Sequence, residues 1–237
     1  MRIRGRRRCK DCGREWSYFE TGTVNCPDCG SLRSVGMGDR ERHTDSPVEL
    51  DLSSHRAALD EHTDVGDVAD ELKTTLRDYV RQRGFVRGGN LLSVDDTVLA
   101  AAELTHAVDV FERTRDPDDA THLYVLELLR NADAGERPPP SAVPDSMVGA
   151  RGLAYASVLS EFCTDLGTWL DDNPDPVARR VREAIETHVK RVEAIHGDVP
   201  AEESEALVCA SRDLVTYLTD DDETALSRAR DRLSNLG

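Results

Sequence analysis

The sequence predicts a mainly α protein in which a small N-terminal β module precedes an antiparallel bundle of about seven helices. Three observations carry this. Beyond residue 63, apolar residues recur three and four apart, the spacing of a helix face. Residues 1–38 hold two Cys-x-x-Cys turns on either side of a β-favouring stretch. The charge also reverses sign between the two parts. Eight bases and four acids leave +4 on residues 1–38, whereas 22 bases and 42 acids leave −20 on the rest. Such a reversal implies two modules with different partners.

The first module is chemically explicit. Cys9-Lys-Asp-Cys12-Gly13 and Cys26-Pro-Asp-Cys29-Gly30 are two tight turns separated by thirteen residues. In each, two thiolates face one ion, and the following Gly supplies a backbone conformation with positive φ. Four soft thiolates suit tetrahedral Zn²⁺, and a closed set of four leaves no open position for chemistry. The expectation is one structural zinc held by Cys9, Cys12, Cys26 and Cys29, with iron as the lesser alternative. Between the turns, Arg14 to Phe19 favours a strand, Glu20 to Gly22 a turn, and Thr23 to Asn25 a returning strand.

Knuckles and hairpin together resemble the zinc-ribbon family, and less closely rubredoxin, over about residues 6–35. The chain as a whole resembles uncharacterised zinc-ribbon proteins of haloarchaea, whose ribbon is likened to that of transcription factor B. The cyclin-like repeats of that factor are not recognisable here. The resemblance implies contact with nucleic acid or with a nucleic-acid-associated protein complex. The residues that would make it are Arg2, Arg4, Arg6, Arg7, Arg8, Lys10 and Arg14, since guanidinium forks match phosphate. Trp16, Tyr18 and Phe19 either stack on bases or pack on the knuckles. The Arg run has a second reading, a clamp onto the protein's own acidic helices.

Residues 39–62 read as a polar connector, with a short helix over 54–61 capped by Ser53. Residues 63–237 form the bundle. Val65 to Val80 make one helix, ended by Gly84. Ser93 caps a second, from Val94 to about Arg113. Asp116-Pro117 opens a third, apolar almost all round and therefore buried. Four prolines between Pro138 and Pro144 break the pattern, so 133–144 is a point of subdivision. Tyr155 to Leu170 stripe a long helix ending near Asp172, and Asp175-Pro176 opens the next. Leu207 to Leu218 and Leu226 to Leu236 mark two more. No strand is expected after residue 38.

The composition excludes several function classes. Hydrophobic residues are 38% and charged residues 32%. No apolar run approaches the ~18 residues of a membrane span, and the Arg-rich start has no apolar stretch behind it, so a cytoplasmic protein is expected. No phosphate-binding Gly loop and no placed nucleophile appear, and no small-molecule substrate is evident. Only Lys10, Lys73 and Lys190 are Lys, and Asp outnumbers Glu 28 to 18. That balance resembles proteins of salt-loving archaea, where molar salt shortens the Debye length to ~3 Å.

The leading function is therefore a non-enzymatic adaptor working through the ribbon. One alternative is a protein–protein scaffold with the ribbon docked on the bundle. The other is a rubrerythrin-like di-iron protein, suggested by Glu103-x-x-His106 and Glu193-x-x-His196; a helical wheel places Glu103 and His106 off the core face, with Glu71 and Glu161 as the only further ligand candidates.

Overall fold

The computed structural model describes residues 1–61 and 65–236. The chain opens with β1 (Arg2–Ile3), β2 (Arg6–Cys9), β3 (Glu15–Ser17), the one-turn helix α1 (Tyr18–Thr21), β4 (Ser34–Met37) and β5 (Glu41–Arg42). β2 is the middle strand of an antiparallel sheet in the order β3-β2-β4, and β1 pairs with β5. The hairpin therefore wraps the first Cys turn, unlike the expected one lying between the two turns. The expected strand over 14–19 stops at Ser17, and residues 23–25 do not return as a strand. The second edge of β2 is taken by β4, which follows the second Cys turn and pairs Arg8 with Val35 and Cys9 with Ser34.

The rest is mainly α, as the periodicity predicts. The helices are α2 (Ser53–Glu61), α3 (Ala69–Gln82), α4 (Asp96–Arg113), α5 (Asp119–Asn131), α6 (Val148–Asp172), α7 (Pro176–Ala194), α8 (Ala201–Asp220) and α9 (Glu223–Ser234). α7 starts as expected: Pro176 takes the first turn, and the Asp175 carboxylate accepts from the Val177 and Ala178 amides. Two other starts move. Asp95, not Ser93, caps α4 by accepting from Val98 N–H, and Asp118, not Asp116, caps α5 through Thr121 N–H. In both cases an aspartate closer to the helix occupies the cap, which leaves Pro117 outside α5.

α4 packs against α3, α5 and α6, α6 packs against α7 and α8, and α8 packs against α9. The most enclosed helix is α4, where every residue from Val98 to Leu104 is buried. Ala100, Ala101 and Ala102 let three neighbours close on it. α5, expected to be apolar and buried all round, leaves Leu123 65% exposed. Glu103 corrects the helical-wheel reading, since it is fully buried. Its carboxylate accepts from Arg151 Nε at 2.6 Å and from the Tyr155 hydroxyl at 2.9 Å, and it also bonds the Tyr124 hydroxyl.

The expectation of no strand after residue 38 fails at β5 and at a small hairpin, β6 (Val86–Arg87) and β7 (Asn90–Leu91). Gly88 and Gly89 form its turn, both with positive φ, the conformation that a two-residue hairpin loop requires. This hairpin and the C-terminal half of α6 receive the N-terminal module. The Phe19 ring lies over Gly88 and tilts against the buried His43, with ring centroids 4.6 Å apart. Trp169 Nε1 donates to Gly89 O at 2.8 Å. The described part of the segment read as a connector, 39–61, is engaged as well. Arg42 and Arg2, facing each other across β5 and β1, both pair with Asp172. Thr44 Oγ1 donates to Asp165 at 2.6 Å, and Asp45 is buried against Arg83 and Arg87. Residue 62 lies outside the described residues.

Candidate metal centre and basic groove

The two Cys turns have the same backbone plan. Cys9 N–H donates to Arg14 O at 2.8 Å, and Cys26 N–H donates to Ser31 O at 2.9 Å. Gly13 and Gly30, each just after the second cysteine, have φ of 78° and 71°. A Cβ at either glycine would meet nothing within 4 Å, so the backbone angle and not space is what calls for glycine there.

These turns bring Cys9, Cys12, Cys26 and Cys29 together, all four sulfurs lying within 4.8 Å of one another. Cys9 Sγ is 3.7 Å from Cys29 Sγ, and Cys12 Sγ is 3.5 Å from Cys26 Sγ. A tetrahedron built on ~2.3 Å metal–sulfur bonds has sulfur–sulfur edges of about 3.8 Å. The donor set therefore fits one ion. Among the described residues this is the only such group of three or more ligating side chains.

The clustered thiols and their backbone amides shift two of the cysteines in opposite directions. The Cys12 N–H draws the Cys9 thiol down to about 6, and the Asp11 N–H adds to this. At Cys12 the Arg14 N–H favours the thiolate, but the Cys26 thiol and burial outweigh it and push the group up to about 12.

Around the sulfurs the module has almost no core of its own. Cys9, Trp16 and Cys26 form its buried cluster, and Trp16 Nε1 donates to Thr23 O at 3.0 Å. Trp16 thus packs on the knuckles, while Tyr18 and Phe19 do not. The Tyr18 ring meets His43 edge-on, and Phe19 fills the junction with β6–β7.

The basic residues expected to act together are divided. Along β2 the side chains alternate between faces. Arg6 Nη2 donates to Glu15 at 3.0 Å, and Arg8 lies 3.9 Å from the same carboxylate. Arg14 sits 3.7 Å from Asp28, and Lys10 is exposed. Arg2 is anchored on Asp172. Arg4 and Arg7 line a groove of about 440 Å³ together with Arg2, Tyr18, Val24, Gly36 and Arg40, Arg2 reaching it while paired with Asp172. The sequence does not single out Arg40, because it lies between Asp39 and Glu41 in an alternating charged run that reads as a solvated connector.

The di-iron ligand pairs are not assembled. The Glu103 oxygens are held by Arg151 and two tyrosines, so they are committed inside the core. His106 faces two surface clefts, one beside Arg77 and Glu161 and one beside Arg113 and His196. Among the described residues no helix is long and apolar enough to cross a membrane. No curated protein and no solved structure matches the chain. A sequence family, DUF7117, described as a family of unknown function, matches residues 1–233, and the chain belongs to it.

Proposed function

We propose that this protein is a zinc-binding, non-enzymatic adaptor. In this reading residues 1–38 are a zinc ribbon, residues 39–62 join it to the rest, and residues 63–237 are an acidic helical body. The observation that carries the reading is the four-thiol cluster at the end of β2, the strand that also bears Arg6, Arg7 and Arg8. A closed Cys₄ set suits structural Zn²⁺, so the metal shapes the module and the arginines make the contact. Nucleic acid, or a protein complex that handles it, is the partner this basic module fits. The acidic body keeps the contact local by repelling polyanions elsewhere.

The scarcity of Lys and excess of Asp support a halophilic, archaeal, cytoplasmic setting for the chain. In molar salt only close arginine–phosphate contacts persist, because counterion release loses its drive. A second reading, a protein–protein scaffold with the ribbon docked on the bundle, draws on the Arg2–Asp172–Arg42 contact.

The test is purification of the native protein at high salt, followed by elemental analysis and identification of bound material. About one zinc per chain, with nucleic acid or nucleic-acid-handling proteins attached, is the expected result. Absence of zinc, or two irons per chain, overturns the reading. A metal-loaded protein accompanied only by partners that handle no nucleic acid favours the scaffold.

A further inference from the structure

We propose that the groove between β1, β2 and β4 is a binding site for single-stranded nucleic acid, in which Arg4, Arg7 and Arg40 hold phosphates and the Tyr18 ring receives a base. The inference rests on the adaptor reading and gives its contact an address and a ligand class.

Charge is the first argument. The chain has 46 acids and 30 bases, so carboxylates are abundant. Even so, no acidic residue lines this groove. Among the described residues the side chains of Arg4 and Arg40 have no hydrogen bond and no ion pair. Arg7 bonds only a neutral group: its Nε and Nη2 donate to Ser34 Oγ at 3.1 and 2.9 Å. Ser34 Oγ in turn donates to Val24 O at 2.7 Å. That chain fixes the Arg7 guanidinium and leaves Nη1 free for an incoming oxygen. Three of the groove's four arginines thus lack an internal counter-charge, Arg2 alone being paired, with Asp172, and together they form an electrostatic site for a polyanion. The opposite face of β2 differs, because Arg6 and Arg8 share Glu15.

Shape is the second argument. Gly36 sits at the floor of the groove, where a Cβ would come within 3.0 Å of the Arg4 Cβ. The missing side chain keeps the groove open beside Arg4. Tyr18 lines the same groove as Arg4, Arg7 and Arg40, and its ring meets His43 edge-on. Arginines that track phosphates beside an aromatic ring are the combination that binds unpaired strands, because every base offers a π face. A duplex keeps its bases stacked and gives that ring nothing to receive.

The test uses the full chain, metal-loaded, with fluorescent 15-nucleotide oligo-U and oligo-dT in ~0.1–1 M KCl. Three phosphate contacts on a single strand give a slope near −2 for log affinity on log salt, from about −0.7 per contact. Arg4→Ser with Arg40→Ser removes two side chains that hold nothing else, so folding is spared. That double variant should lose at least ~10-fold in affinity at ~0.1 M KCl and flatten the slope by about 1.4 units. Arg6→Ser with Arg8→Ser makes the same change in charge on the other face of β2, and should cost clearly less affinity than the Arg4/Arg40 pair. Tyr18→Leu should weaken binding roughly fivefold or more with an unchanged slope. Gly36→Val should block the groove and reproduce the loss with every arginine in place.

Three outcomes overturn the proposal. If the Arg4/Arg40 variant binds like the native protein while the Arg6/Arg8 variant fails, the groove is wrong and the nucleic-acid reading stands. If no variant, nor the native chain, binds either oligonucleotide, the groove proposal falls together with direct nucleic-acid contact, and the adaptor reading is left with a protein complex as its partner. If polyglutamate displaces the oligonucleotide as well as unlabelled oligo-U does, the groove is a site for acidic protein.

Discussion

The N-terminal module and the helical body are held together by opposite means. The body buries a continuous apolar core that runs through α3 to α9, including Leu72, Leu99, Leu128, Phe162 and Leu214. The module buries Cys9, Trp16 and Cys26, and two of those three belong to the four-thiol cluster. Area burial at ~25 cal/mol per Å² can fold the first and cannot fold the second. On the proposed reading the module's stability therefore depends on a bound ion, whereas the body's rests on its apolar core. The comparison also separates two uses of arginine. In the body Arg151 is sealed against Glu103 to complete a core; at the N-terminal groove Arg4 and Arg7 of the module, with Arg40 of the joining segment, have no carboxylate partner.

The sharpest way to break this contrast is Cys26→Ser. One lost thiolate should release the metal, giving well under one zinc per chain by elemental analysis. Amide hydrogen exchange should then rise across residues 6–35 while helical circular dichroism is retained. If the helices melt with the ribbon, the two regions are one cooperative unit and the contrast is wrong. Acid should have the same effect as the mutation. Ligands bind as thiolates, so lowering pH returns protons to them and zinc affinity falls.

The next largest effect belongs to the body. Arg151→Met strands the Glu103 carboxylate in the core, where its remaining partners are the two tyrosine hydroxyls. Removing one member of a buried pair costs about 3–5 kcal/mol. Thermal unfolding of the helices should drop accordingly, with zinc content unchanged. A loss below about 1 kcal/mol means water already reaches the pair, for which Arg151 Nη1, buried without a partner among the described residues, would be the entry point.

Salt should act on the body more than on the module. With −20 on residues 39–237, self-repulsion weakens the helices in dilute buffer. The melting temperature should rise by at least ~5 °C between ~0.1 and ~2 M KCl, equivalent to about 2 kcal/mol for a bundle of this size. An unchanged value removes the halophilic reading and leaves the fold as it is.

The smallest effect sharpens the boundary between the regions. Arg42, and after it Arg2, hold the Asp172 carboxyl below its ordinary range, although burial works against them. The contribution is thus complete at neutral pH and disappears as pH falls through that lowered value. Asp172→Asn should speed exchange at Arg2, Ile3, Glu41 and Arg42 with little change in global stability. The native protein should show the same local loosening in acid, and the variant should lose that pH dependence. Equal acid sensitivity in both would mean the clasp contributes nothing to the joint.

Much of the fold was legible because each helix carries its own signal. Asp175-Pro176 fixed a start, and the stripe from Tyr155 to Leu170 fixed the long helix that ends at Asp172. The Cys turns were legible because four thiols at that spacing have few other uses. The β6–β7 hairpin was missed although Gly88-Gly89 marks a tight turn, because its strands are two residues long and lie between strong helical runs. Glu103 was misplaced because a wheel averages over one helix, whereas its burial comes from Arg151 and Tyr155, half a bundle away in sequence.

The sequence by itself determined the helical class, the sign of the charge in each region and the four-cysteine set, since each is a local property of residue type and spacing. Only the tertiary structure decided which arginines remain available. Arg6, Arg7 and Arg8 are equivalent neighbours in the sequence, and the pleat of β2 sends them to opposite faces. Arg40 comes from beyond β4 and joins Arg4 and Arg7 only because the β1–β5 pairing folds the chain back across them. Counter-charge is a matter of distance in space, and that distance is set by strand pairing.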